Sequence, residues 1–183
     1  MTVYTTTPGF SAHDNIASGK TAQQLYPYLN QPWGADKAVD GQKTDFSAGG
    51  GQCTISTNVA QTARWWVDLG GFLSIHYITI YYRTDNLAWD ASNPYTARFL
   101  GFSVYISTTT NKDDGVLCFE DTLYTKATIP NPTNITCARH GRYVIYYNER
   151  NAQSPAEYSA NAFNELCEFE VAQQQVFMER TAI

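Results

Sequence analysis

An arginine and an aspartate separated by a single residue follow an apolar run: Arg83-Thr84-Asp85 comes directly after Ile75 to Tyr82. Arginine offers only N–H donors and an ionised aspartate only acceptors, so the pair can fork hydrogen bonds onto neighbouring hydroxyls of a polyol. Arg98 lies beyond a loop that also carries Trp89 and Tyr95. Aromatic faces of that kind can pack on sugar C–H faces. The bland alternative for Arg83 and Asp85 is a surface ion pair that pins a loop, worth about 0–1 kcal/mol. Catalytic chemistry is not indicated. His13, His76 and His140 stand in no nucleophile motif, and the sequence contains no Gly-x-Ser-x-Gly, phosphate loop or dinucleotide fingerprint.

The elements that must carry these residues read as strands. Residues 65–69 and 75–83 are apolar, β-branched and aromatic, and read as two strands. In the second, Ile78, Ile80 and Tyr82 share a core face, and Thr79, Tyr81 and Arg83 the other. Trp65-Trp66 reads as core and sandwich-edge packing. Phe99–Ser107, Val116–Glu120, Ile135–Ala138, Gly141–Asn148 and Phe169–Val171 read as further strands. Ala35–Asp40 suits a short helical turn, and Asn111–Gly115 a turn. Residues 21–33 and 149–163 read as irregular, and Gly49-Gly50-Gly51 as a loop that permits close backbone approach. Many short strands without a long helix predict an all-β protein, a β-sandwich. The expected organisation is a loose lead-in at 1–13, one domain at 14–171 and an extension at 172–183.

Composition narrows the partners. The 183 residues include only 16% charged side chains, 14% aromatics and 13 Tyr, with a formal net charge of -5. Low charge with many hydroxyl and amide side chains suits extracellular recognition by hydrogen bonding and stacking. The negative balance argues against nucleic acid and against direct attraction to an anionic membrane, leaving membrane association to flanking domains. Met1 to Phe10 shows no basic segment followed by an apolar one, so no signal peptide is visible. The four cysteines, Cys53, Cys118, Cys137 and Cys167, form no Cys-x-x-Cys and permit three pairings. The polar, Pro-containing stretch between Cys118 and Cys137 suits a local bridge, which would leave Cys53 for Cys167. Four reduced thiols in a cytosolic protein are the alternative. Asn134-Ile135-Thr136 is a glycosylation sequon, in keeping with an extracellular chain.

In order along the chain, Asp40-Gly41, Trp65 to Gly70, Arg83-x-Asp85, Gly141-Arg142-Tyr143-Val144 and Leu166-Cys167-Glu168 resemble F-type (fucose-binding) lectin domains. These are discoidin-related modules, here most similar to those of invertebrate multidomain cell-surface proteins. The resemblance spans about Asn15 to Val171 and implies a jelly-roll sandwich, with Asn15 to Lys20 opening the first strand. It also implies the bridges Cys53–Cys167 and Cys118–Cys137, and a sugar pocket at Arg83, Asp85 and Arg98. Asp90 stands where the family's second basic residue is expected, so Arg98 takes that role across a longer loop. The family's pocket histidine falls at Ile55 or Ser56, so Ile55 is expected as an apolar wall, with Trp89 and Tyr95 rebuilding the surface.

The resemblance further implies a structural Ca²⁺ site. Asp40 and Glu168 would give carboxylates, Lys37, Gln42 and Cys167 carbonyls, and Gln52 its amide or main-chain oxygen. Such a mixed oxygen shell suits a hard cation. The implied function is non-enzymatic recognition of fucosylated or other glycans, with cell-surface proteins as further partners. The rival reading is a discoidin-like protein- or phospholipid-interaction module using Leu87, Trp89 and Tyr95 as apolar spikes, or a structural module of a receptor.

Overall fold

The structure, a computed structural model, describes residues 14–173. The lead-in at 1–13 and the extension from 174 onward lie outside the described residues. Six strands form one antiparallel sheet: β1 (Thr21–Gln24), β2 (Thr62–Tyr82), β3 (Ser103–Ser107), β4 (Val116–Glu120), β5 (Thr133–Glu149) and β6 (Leu166–Gln173). The order is β1-β2-β5-β3-β4, and β6 pairs with β2. Among the described residues no helix is long and apolar enough to cross a membrane.

Two corrections follow at β2 and β5. The expected strands at 65–69 and 75–83 are one strand, and so are those at 135–138 and 141–148. Each is long enough to serve two layers. The first half of β2 pairs with β1 and with the second half of β5; its second half pairs with β6 and the first half of β5. The turn between layers is a bulge. From Asp68 to Leu73, β2 inserts residues while β5 advances only from Tyr143 to Gly141. Gly70 sits there at φ +85°, a left-handed conformation that glycine adopts without a Cβ penalty.

The halves face each other across a common core. Trp65 of the first layer packs on Phe169 of the second, ring centroids 4.9 Å apart. Tyr82 packs on Phe99 and Phe102, and Phe102 on Tyr146. Ile78, Ile80 and Tyr82 are fully buried, as their alternation predicts. Trp65 donates its indole N–H to Ala35 O, in a 3-10 turn at Ala35–Ala38. This is the β-sandwich that the strand pattern predicts.

Two disulfides tie segments distant in sequence. Pairing of Thr54 with Leu166 brings Cys53 beside Cys167, and those two are bonded. Cys118 of β4 joins Cys137 in the first half of β5, stapling the edge of one layer to the other. Elsewhere the expectations shift locally. The segment read as irregular from Thr21 opens with β1, whereas Asn15 makes only an isolated bridge to Ala172. The strand expected over Phe99–Ser107 begins at Ser103, because Thr96–Phe99 forms a helical turn, α1, that carries Arg98. Asn134 lies exposed on β5, its side chain accepting from Thr79 Oγ1.

Beside the bulge, Arg142 of β5 forks onto Asp68 of β2 at 2.7 and 2.8 Å, and Asp68 also accepts from Gly70 N. The Arg142 hydrogen bonds hold the Asp68 carboxyl down at about 2. A depressed folded-state pKa stabilises above the unfolded value near 4 and ceases to do so as pH falls through the folded one. Both side chains are partly exposed, so the expected cost of Asp68→Asn is about 0.5–1 kcal/mol at neutral pH. Urea unfolding should show that gap at pH 7 and show it closing between about pH 4 and pH 2.

Candidate functional site

The register of β6 on β2 builds the site. Tyr82 pairs with Leu166, so the next residues outward, Arg83 and Glu165, come opposite one another, and Arg83 N donates to Glu165 O. The Glu165 side chain is 1% exposed. Its Oε1 accepts from Arg83 Nη1 at 2.9 Å and from Arg98 Nη1 at 2.7 Å. One buried carboxylate oxygen therefore gathers two guanidiniums from sequence-distant segments. Burial pushes the Glu165 carboxyl up, against the downward pull of Arg98 and Arg83.

Asp85 completes the frame. Arg83 meets it with a bidentate fork, Nε to Oδ1 at 2.7 Å and Nη2 to Oδ2 at 3.1 Å. Tyr95 Oη donates to Asp85 Oδ2 and accepts from Arg83 Nη2 at 2.9 Å. Burial raises the Asp85 pKa, but the Arg83 and Tyr95 hydrogen bonds win and the net shift is downward. Asp85 and Asn86 adopt positive φ, +52° and +59°, a conformation these two residue types tolerate better than most. The turn is held by Asp85 N and Thr84 N donating to Phe46 O, and by Ala48 N reaching Asp85 Oδ1 at 3.3 Å.

Arg98 differs from Arg83. Arg83 spends Nε, Nη1 and both Nη2 bonds within the cluster. Arg98 makes one such bond, through Nη1, and its guanidinium makes no other to the described residues. Its guanidinium lies between the Tyr95 and Phe163 rings, 4.7 and 4.3 Å from their centroids, in cation–π contact with each. A third arginine, buried Arg150, fixes the backbone below. It donates to Arg98 O, Ala97 O, Ser159 O and Asn148 Oδ1, and Asn148 Nδ2 also reaches Arg98 O. With Glu149 O and Ser159 Oγ these make six acceptors around one guanidinium, so α1 is set from beneath.

The structure thus brings Arg83, Asp85, Tyr95 and Arg98 together, and corrects two other expectations. Trp89 is not an exposed platform: its N–H donates to Ile129 O, and its ring packs on Tyr82 and Phe99. Ile55 is not an open wall. It is buried with Cys53 and Cys167 beneath Tyr28, Trp33, Phe46 and Ala48. Ser56, the other position for the missing histidine, is buried and accepts from Asn164 N. Of the three expected spikes only Leu87 is exposed. Glu165, Phe163 and Arg150 were not anticipated from sequence. The one signal for Glu165 is a carboxylate at the head of the apolar strand, just before Leu166-Cys167.

A second cluster holds the expected metal residues. Glu168 is fully buried, its Oε2 accepting from Gly41 N at 3.1 Å. Asp40 accepts from Gln42 N at 2.9 Å and lies 3.6 Å from the Lys37 ammonium. Burial pushes Glu168 up to about 7; nearby Asp40 and Glu170 add to that against the Gly41 hydrogen bond. The Gln52 amide oxygen already accepts from Thr44 N and Asp45 N. Among the described residues no three His, Cys, Asp or Glu side chains converge as metal ligands. An ion here would need main-chain carbonyls as well.

No protein-family model matches the chain, and no curated protein matches it. Solved structures do. The lectin domain of lectinolysin, solved with the Lewis b antigen, is 25% identical with a TM-score of 0.64, covering 88% of this chain and 98% of that one. A fucose-binding module of Streptococcus pneumoniae is 20% identical, TM-score 0.63, covering 88% and 96%. The F-lectin (fucolectin) of striped bass (Morone saxatilis) serum is 22% identical, TM-score 0.66, covering 89% of this chain and 50% of that one. The chain has the fold of these lectin modules, a β-sandwich jelly roll.

Because Arg150 is buried and bound to six acceptors, Arg150→Met removes all of these bonds at once. The expected loss of stability is about 3 kcal/mol, read by denaturant unfolding. Arg150→Lys should recover only part of it, since an ammonium cannot reproduce the fork.

Proposed function

We propose that the protein is a non-catalytic carbohydrate-binding module whose site is the cleft at Arg83, Asp85, Tyr95 and Arg98. The carrying observation is the convergence of two guanidiniums on Glu165, with Arg98 held between two rings and still holding N–H groups to offer. Those N–H groups suit hydroxyl and ring oxygens of a saccharide, and the half-buried Tyr95 ring supplies an apolar face beside them. The frame is preorganised, so little side-chain entropy is lost on binding. Lectinolysin's domain with Lewis b antigen and the pneumococcal fucose-binding module support fucosylated glycans as the ligand class. Buried Ile55 and Ser56 supply no imidazole, so recognition rests on the arginines, and selectivity shifts from simple fucose toward glycans that also meet the 86–97 loop. Two disulfides fit a secreted or cell-surface chain, with Asn134 as its glycan acceptor.

The calcium reading belongs to this proposal. Glu168 is buried beside Asp40, so two carboxylates meet where a counter-cation would relieve both. Asp40 and Glu168 would hold the ion, with carbonyls of Lys37, Gln42 and Cys167 and an oxygen of Gln52. Its contribution is charge neutralisation that holds the 37–42 turn against β6, away from the sugar. One observation favours the interaction-module alternative: Leu29, Val59 and Leu87 are exposed on loops.

Arg98→Ala should lower glycan affinity at least tenfold on a glycan array or by calorimetry, with the fold intact by circular dichroism. An array profile identical to wild type would remove the cleft from consideration and leave the loop surface as the binding face. For the metal, calcium should raise the melting temperature of wild type by several degrees, chelator should reverse it, and Asp40→Asn should abolish the shift. No calcium-dependent shift in wild type, with no metal by elemental analysis, would reject the site.

A further inference from the structure

The cleft is balanced in charge. Arg83 and Arg98 bring two positive charges, Asp85 and Glu165 two negative ones, and all four are joined by hydrogen bonds. A pair of arginines without such partners is how proteins recognise carboxylate, sulfate or phosphate, because the planar fork matches those anions. Here the fork of Arg83 is already filled by Asp85. Arg98, whose N–H groups remain available, sits 2.7 Å from a carboxylate oxygen that water barely reaches. The second Glu165 oxygen, Oε2, is buried with no hydrogen-bond partner among the described residues, so no donor offsets the charge from behind. Asp45 adds a carboxylate at the rim, joined to the Asp85–Asn86 turn through Asn86 Nδ2 at 2.9 Å.

A fixed, poorly screened negative charge acts differently on two kinds of ligand. An incoming carboxylate or sulfate meets the arginines and the buried acid together, and the attraction is largely cancelled. A neutral hydroxyl needs only a directed N–H and loses little. We propose that Glu165 makes this cleft select uncharged saccharide units and disfavour sialylated, sulfated and uronic ones. It acts through the two guanidiniums, as a positioning and specificity residue, without touching the ligand. This is discrimination by a built-in repulsive element rather than by an extra contact. For the ligand class the inference rests on the carbohydrate-binding reading above; the charge argument stands on the cluster itself.

The test compares wild type with Glu165→Gln, which keeps size and an acceptor for the arginines and removes the charge. Calorimetry uses a neutral fucosylated oligosaccharide and its O-sulfated counterpart, and inorganic sulfate is titrated separately by NMR. Wild type should prefer the neutral glycan at least tenfold and show no saturable sulfate site. Glu165→Gln should shift that ratio at least tenfold toward the sulfated glycan and gain saturable sulfate binding that added chloride weakens. A merely structural role would lower both affinities together and leave the ratio unchanged, and that result overturns the proposal. So does a wild type that prefers the sulfated glycan. If wild type binds neither glycan, the carbohydrate reading fails by itself. The sulfate titration then decides: a gain in the variant supports charge selection, and no gain rejects it. Should Glu165→Gln not fold, Asp85→Asn removes a charge from the same balance at a more exposed side chain. The same shift in ratio is expected, and an unchanged ratio there also overturns the proposal.

Discussion

β2 and β5 each run through both layers of the sandwich; β1, β6 and β3 pair directly with them, and β4 adds on through β3. A sheet that folds back on itself through two long strands needs no separate interface between its halves. The bulge at Leu69–Phe72 lets the same hydrogen-bonded ladder continue around the corner. Once that corner is made, Trp65 meets Phe169 and Tyr82 meets Phe102, so one hydrophobic core serves both layers. The Asp68–Arg142 fork lies beside this corner and braces it at the surface.

The candidate cleft is a product of the same pairing. β6 docks on the second half of β2 in a register that brings Glu165 opposite Arg83 at the open end. The loop after Asp85 then returns through α1, where Arg150 grips the carbonyls of Ala97 and Arg98. Two arginines fifteen positions apart (98 − 83) thus reach one buried acid. Burying a carboxylate is costly without close cationic partners, and Glu165 has two. The arginines in turn lose freedom, which is what a binding surface for a rigid, hydroxyl-rich ligand requires.

The Asp85–Asn86 turn shows the strain such a site can carry. Two consecutive non-glycine residues at positive φ cost free energy, and they persist because surrounding hydrogen bonds over-determine the turn. Asp85 is held by Arg83, Tyr95 and Ala48, and Asn86 by Phe46 N and Asp45. The same side chains that shape the cleft therefore stabilise the backbone that presents it. Glu168 lies on β6 and Asp40 on the turn packed against it; besides that strand, Gln52 is joined to the cleft turn through Asp45 and Asn86.

Local chemistry made much of this legible in advance. Alternation along 75–82 gave the buried face, because side chains on a strand point to opposite sides. Many short strands without a long helix gave the sandwich, and the ordered motifs gave the lectin-module likeness and both disulfides. What the sequence could not decide was how far each strand runs and which distant residues meet. Gly70-Gly71 in β2 and Gly141 in β5 read equally as a loop or a bulge, so the sequence divides each of these strands in two. Trp89 and Ile55 are apolar residues in loop sequence; only packing against Tyr82 and Phe99, or beneath Trp33 and Phe46, decides that they face inward. Glu165 stayed hidden for the opposite reason. A lone carboxylate beside a strand reads as solvated, and its burial between Arg83 and Arg98 arises only from pairing across 82 residues of chain. Periodicity is a property of neighbours in sequence, whereas that charge cluster is a property of strand register, which tertiary structure alone sets.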